Sequence, residues 1–206
     1  MNKVPVAAMS LAIITAVVSL VIAYLATGSV LGKVTMIQLK SYGGLNISNL
    51  VNWEIWTLFT SQLVHSKQYH MFYNVLALVV LGYAIERHVG WFIFLSVWFV
   101  AGASGTLYGT LFVSAPWNTG AGGSQAILGV AGLGIILTTI KEDNRKLVYA
   151  LMFALIPAFS LDLIFANYPK PGHVLGLAVG MLMGVIYVTK LTKPSNCRLF
   201  RCSFCG

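Results

Sequence analysis

Gly122-Gly123-Ser124-Gln125-Ala126-Ile127 leads into the segment 124–140, SQAILGVAGLGIILTTI, which carries no charge. Apart from its first two residues and two threonines near its end, the segment is apolar or glycine, and it reads as a membrane span. A serine placed after two glycines at the start of such a span is either a helix cap or a nucleophile. The choice depends on which polar groups stand at the same depth on the same side of the bilayer.

Composition sets the solvent. The chain of 206 residues is 58% hydrophobic and 9% charged, whereas soluble domains carry about 25% charged residues. A core of this size cannot hide the apolar excess, so the solvent is lipid. The net charge of +8 does not argue for nucleic acid, because the basic residues are scattered between apolar segments, as topology signals are. All the cysteines, Cys197, Cys202 and Cys205, lie at the C-terminal end, so no disulfide framework holds the body together.

A span needs roughly 20 apolar residues. The segments 4–27, 70–85, 91–113, 124–140, 147–166 and 173–189 meet that standard and predict an all-α integral membrane protein, a six-transmembrane-helix bundle over 1–193. Residues 194–206 form a short basic tail. The connection 28–69 is long and holds Trp53 and Trp56, which places part of it in the membrane interface. The first span exceeds the apolar core of a signal peptide and is read as an anchor. With the N-terminus cytoplasmic, Lys3, Arg87, Lys141, Arg145, Lys146, Lys190, Lys193, Arg198 and Arg201 lie inside, and Lys33, Lys40, Lys67 and Lys170 outside. This bias, about two to one, sets both termini in the cytoplasm of a cell-membrane protein.

Alternation then puts His70 and Asn74, Ser124 and His173 on the outer side. Ser124 precedes Lys141 by as many residues as His173 precedes Lys190. At about 1.5 Å per residue, each lies roughly 25 Å above a cytoplasmic charge. Polar groups at that depth are costly unless they pair or line a wet cavity. A neutral His173 can take the Ser124 hydroxyl proton during attack on a carbonyl and return it to the leaving amine. His70 and Asn74 share a helix face and, with the backbone N–H near Gly123, can stabilise an oxyanion. Gly172, Gly176, Gly180 and Gly184 recur at every fourth position; Gly176 and Gly180, on the His173 face, allow close packing against the fourth span.

Each feature alone has a plain reading: a cap for Ser124, a packed residue for His173, helix glue for His70 and Asn74. Their agreement in side and depth favours the joint reading. Asp162 is read as structural, and Glu86–Arg87 as a cytoplasmic anchor pair. His65 either lines the cavity or is unengaged. Rival chemistries fail on residues: no H-E-x-x-H follows His70, no two aspartates share a site, and Ala126 replaces the last glycine of G-x-S-x-G. A transporter would show broken helices or an internal repeat.

The stretch His65-Ser-Lys-Gln-Tyr-His70-Met-Phe-Tyr-Asn74 resembles the H-x4-H-x3-N element of the rhomboid intramembrane serine proteases. Ala84-Ile85-Glu86-Arg87 with Gly90 is similar to the element that follows it. Gly122-Gly123-Ser124 matches the start of G-x-S-G, and Gly172-His173-Val-Leu-Gly176-Leu-Ala-Val-Gly180 the sixth-span element. Trp56 and Thr60 resemble part of W-R-x-x-T. The resemblance covers about residues 53–190. It implies a Ser124–His173 dyad without a catalytic aspartate, and oxyanion donors at His70, Asn74 and backbone N–H. It further implies hydrolysis of transmembrane protein substrates in lipid, with an active site open to the outer face and no cofactor, metal or nucleic acid. An inactive relative that binds transmembrane segments is the alternative. Three positions depart from the pattern: Gln125 follows the serine, Leu128 stands where an aromatic often stacks on the histidine, and Thr57 replaces the arginine of W-R. Gln125 would narrow the site or donate to the oxyanion, Leu128 would hold His173 less firmly, and Thr57 would weaken the first loop.

The tail motif C-x4-C-x2-C offers three thiols without a clear fourth zinc ligand. Juxtamembrane cysteines can also be acylated.

Overall fold

The computed structural model describes residues 4–115, 118–140 and 144–191. Lys3, Lys141, Asp143 and the cysteine tail lie outside the described residues. The described regular structure is helical, apart from one isolated antiparallel bridge between Leu45 and Gly120. Among the described residues, five helices are long and apolar enough to cross a membrane: Val6–Thr27, Gln68–Val89, Trp91–Phe112, Arg145–Ala166 and Pro171–Lys190. They match five of the expected spans to within a few residues.

The first helix, α1 (Val6–Thr27), leads into a connection with three short helices: α2 (Met36–Ser41), α3 (Ile47–Val51) and α4 (Thr57–Thr60). The span Gln68–Val89 is composite. It runs as α5 (Gln68–Leu81), a π-helical turn (Gly82–Glu86) and α6 (Arg87–Val89). Next come α7 (Trp91–Phe112), α8 (Ser124–Thr138), α9 (Arg145–Ala166) and α10 (Pro171–Leu191).

α8 differs from the other long helices. It has 15 residues, about 22 Å at 1.5 Å per residue, less than the roughly 30 Å of a hydrocarbon core. It is also the most enclosed: Ala126 through Gly134 are buried without interruption. Its glycines and alanines let α7, α9 and α10 close around it. The seam with α10 is the tightest. A Cβ on Gly180 would lie 1.8 Å from the Gly129 carbonyl oxygen, and one on Gly176 would lie 2.4 Å from that of Gln125. Gly176 and Gly180 thus bring α10 into backbone-to-backbone contact with α8.

Glu86 is not a solvent-facing anchor. It is buried, and its two carboxylate oxygens accept the Ala7 N–H at 3.0 Å and the Ala8 N–H at 2.8 Å. α1 begins after Pro5, with no side-chain cap of its own. Its first N–H groups therefore need an outside acceptor, and an anion there also meets the positive end of the helix dipole. Glu86 fixes α1 against the composite helix, where Ala8 closes on Gly82.

The first connection is tied to the body at the site. Leu45 and Gly120 exchange backbone hydrogen bonds at 2.9 and 2.7 Å, and the Gly122 N–H donates to the Ser61 carbonyl at 2.8 Å. Trp53, Ile55 and Trp56 point outward from this connection, Trp53 with 81% of its surface exposed.

Candidate active site at the start of α8

Gly122 has φ +98, a left-handed conformation that favours glycine. It reverses the chain so that Gly123 becomes the N-cap and Ser124 the first residue of α8. The capping position makes no side-chain cap bond, and Ser124 lies inside the helix, so the cap reading of Ser124 falls. Its Oγ lies 2.9 Å from His173 Nε2 and 3.2 Å from Gln125 Oε1. Both Ser124 and His173 are buried. The two residues expected at one depth are therefore in hydrogen-bond contact, drawn together by the glycine seam between α8 and α10.

His173 is engaged on its other side as well. Its Nδ1 lies 2.6 Å from Asp162 Oδ2, so the aspartate read as structural touches the histidine that faces Ser124. α9 ends at Asn167, in the left-handed conformation with φ 62, and Pro171 begins α10 after a short turn. The last turn of α9 and the first turn of α10 thus face each other across the corner. Asp162 Oδ2 also accepts the Lys170 N–H at 3.0 Å, and Lys170 Nζ lies 3.2 Å from Oδ1. A carboxylate only accepts, so the proton between Asp162 and His173 belongs to Nδ1. In the neutral ring Nε2 is then a bare acceptor facing Ser124, which is the tautomer a general base needs.

A second cluster lies beneath the loop at Gly123. His65 is 1% exposed and is fully engaged. Its Nε2 lies 2.9 Å from Asn74 Nδ2 and 3.4 Å from the Gly123 N–H, while Nδ1 lies 3.0 Å from Ser19 Oγ and 3.3 Å from the Leu63 carbonyl. One tautomer satisfies all four contacts, with Nδ1 donating and Nε2 accepting. Burial, with a smaller contribution from the charge of nearby His70, pushes the His65 pKa down to about 3, so the ring is neutral at physiological pH. Asn74 and Gly123, expected as oxyanion donors, meet at this one nitrogen. His70 is half-buried, with its ring centroid 6.0 Å from that of His65. Sequence reasoning missed His65 and Ser19 as an anchoring pair. The H-x4-H-x3-N spacing contains His65, but nothing in the sequence tied Ser19 of α1 to it.

A comparison with protein families matches the Rhomboid domain over residues 52–190. The chain belongs to the rhomboid family. Among curated rhomboids, RHOMBOID-like protein 1 of Arabidopsis thaliana is 28% identical over 75% of this chain and 40% of its own length. Rhomboid protease GluP of Bacillus subtilis (strain 168) is 30% identical over 72% of this chain and 29% of its own length. A shorter match, 36% identical over 36% of this chain and 22% of the relative, is to Inactive RHOMBOID-like protein 8 of Arabidopsis thaliana. The chain thus spans well under half the length of these relatives. As a rhomboid with five helices among the described residues long and apolar enough to cross a membrane, it is an integral, multi-pass membrane protein.

The departures from the rhomboid pattern each have a local answer. Gln125 occupies space left by two glycines: a Cβ on Gly105 would lie 2.7 Å from Gln125 Cγ, and one on Gly172 would lie 3.6 Å from it. Leu128 is buried and offers no aromatic face, but Asp162 clamps His173 from the opposite edge. Thr57 is fully buried and donates to the Glu54 carbonyl at 2.6 Å, while Thr60 donates to the Gly43 carbonyl at 2.9 Å. The first connection therefore keeps its own internal bonds.

Proposed function

We propose that this rhomboid is a serine endopeptidase that hydrolyses peptide bonds in or near the transmembrane segments of other membrane proteins. The observation that carries the reading is the 2.9 Å contact between Ser124 Oγ and His173 Nε2 inside a lipid-facing helical bundle. Ser124 Oγ attacks the substrate carbonyl carbon, its proton passes to His173 Nε2, and the carbonyl π pair moves onto oxygen. His173 then returns the proton to the amide nitrogen as the C–N bond breaks. Water, with His173 again as base, hydrolyses the acyl ester. The developing oxyanion is assigned to His70, Asn74 and the N–H at Gly123, which gives up its 3.4 Å contact with His65 to reach the oxygen. α8, short and central, acts as the fourth of six spans. Ser124 opens toward the outer face, the termini are cytoplasmic, and the exposed aromatic residues of the first connection lie in the interface.

One observation favours a second reading, a weakly active or inactive protein that binds transmembrane segments. Gln125 Oε1 competes with His173 for the single Ser124 hydroxyl proton, and one relative is named inactive. Labelling with a serine-directed fluorophosphonate separates the two. The protease reading requires Ser124-dependent labelling of folded chain and cleavage of a reporter helix, both lost in Ser124→Ala and His173→Ala. Absence of labelling and cleavage in the folded, unsubstituted chain rejects it.

A further inference from the structure

We infer that Asp162 is a positioning residue for this reaction, holding His173 in its reactive tautomer, with Lys170 closing the arrangement from outside. The inference rests on the protease reading above and adds a third member to the dyad that the family resemblance implies.

Three observations carry it. Asp162 is 1% exposed although it sits one turn from the end of α9. A carboxylate in that position must be paired, and its shortest contact, 2.6 Å, is to the histidine that faces the nucleophile. That length is just below the roughly 2.7–2.9 Å of charge-assisted N–H···O bonds. Lys170, whose side chain is 54% exposed, reaches in from the surface to 3.2 Å from Oδ1. Oδ1 has no aligned hydrogen-bond partner among the described residues, so the ammonium acts there as a balancing charge. It leaves Oδ2 to the Lys170 N–H and His173 Nδ1.

The consequence follows the proton. When Ser124 Oγ bonds to the substrate carbon and its proton moves to Nε2, the ring becomes an imidazolium that retains its Nδ1 proton. That cation forms 2.6 Å from the Asp162 oxygen. The carboxylate stabilises it without taking the proton, and the same bond keeps the ring from turning Nε2 away from Ser124. A purely structural role, closing the α9–α10 corner through the Lys170 N–H, needs only an acceptor, and asparagine supplies one. Asparagine thus separates the two roles.

The test uses the full chain in liposomes with a reporter transmembrane helix. Folded Asp162→Asn is expected to lose about 10²- to 10⁴-fold in kcat with KM within about twofold, and Asp162→Glu to regain part of that loss. Unchanged kcat in folded Asp162→Asn overturns the inference and leaves the protease reading standing. An independent readout needs no variant at Asp162: the ¹⁵N-histidine spectrum of the unsubstituted chain, with the His173 signals assigned by their loss in His173→Ala. A protonated Nδ1 and bare Nε2 near neutral pH support the inference, and the opposite tautomer overturns it. That spectrum tests the held tautomer even where Asp162→Asn fails to fold.

Discussion

The Tyr73 hydroxyl donates to the Ala154 carbonyl at 2.8 Å and to the Phe153 carbonyl at 3.1 Å. Pro157 lies inside α9 four residues beyond Phe153. Proline has no N–H, so the Phe153 carbonyl lacks its helical partner, and Tyr73 of α5 fills the vacancy. A bond between helices therefore sits where α9 is weakest. Tyr73→Phe keeps the ring contact with Phe153, whose centroid is 6.2 Å away, and removes only the hydroxyl. It is expected to cost about 1 kcal/mol and to broaden spin-label distances between α5 and α9. In a Pro157→Ala background, where Phe153 regains an N–H partner, the same substitution costs less. A double-mutant cycle on thermal unfolding measures the difference.

His65 predicts the acid limb of stability. Its folded pKa, about 3, lies below the ordinary value of 6.5, so between these values the unfolded chain binds a proton that the folded chain refuses. Stability contributed by neutral His65 is present above about pH 6.5 and drains away as pH falls toward 3. Thermal unfolding in detergent is therefore expected at a lower temperature at pH 5 than at pH 7.5. His65→Gln removes the titrating ring, so it flattens that dependence while lowering stability at pH 7.5 by about 1–3 kcal/mol, because Asn74, Ser19 and Gly123 lose a matched partner. An unchanged slope in His65→Gln rejects the assignment.

The glycine seam sets the distance between Ser124 and His173, the proposed nucleophile and base. With a Cβ on Gly180 only 1.8 Å from the Gly129 oxygen, Gly180→Ala must move α10 away from α8 or distort the backbone. Overpacking of this kind costs about 1–3 kcal/mol or more, and any separation is passed to the Ser124–His173 contact. Gly109→Ala, where nothing lies within 4 Å of the new Cβ, serves as the control. Fluorophosphonate labelling is expected to fall at least about tenfold in Gly180→Ala, since misplacement near 1 Å can cost 10²-fold, and to stay near the original rate in Gly109→Ala.

What the sequence made legible follows from the range of each interaction. Apolar run length marks the membrane-crossing helices because the bilayer imposes it on each segment separately. Counting residues from charged ends puts Ser124 and His173 at one level because helical rise is constant, and the two side chains lie 2.9 Å apart. The contact of Asp162 with His173 was not legible, because a count along one helix says nothing of how the chain turns. The corner through Asn167 and Pro171 folds the end of α9 back beside the start of α10, and those two residues were the available signal. Glu86 was misread for a similar reason. Its partners, the N–H groups of Ala7 and Ala8, lie on α1, and backbone donors leave no trace in composition.

Gln125 makes the last prediction, because Ser124 has one proton and two acceptors. With Oε1 at 3.2 Å and His173 Nε2 at 2.9 Å, the hydroxyl divides its time between them, and only the bond to His173 prepares it for attack. Removing the amide leaves one acceptor. A net hydrogen bond is worth about 0.5–1.5 kcal/mol, so Gln125→Ala is expected to speed fluorophosphonate labelling of Ser124 by roughly 2- to 10-fold. The substitution also empties the space against Gly105 and Gly172, so unfolding temperature is expected to fall even as labelling quickens. Opposite movement of the two readouts is the signature of a side chain that stabilises the seam and restrains the nucleophile. Labelling that slows in a folded Gln125→Ala would mean that the amide assists Ser124 instead.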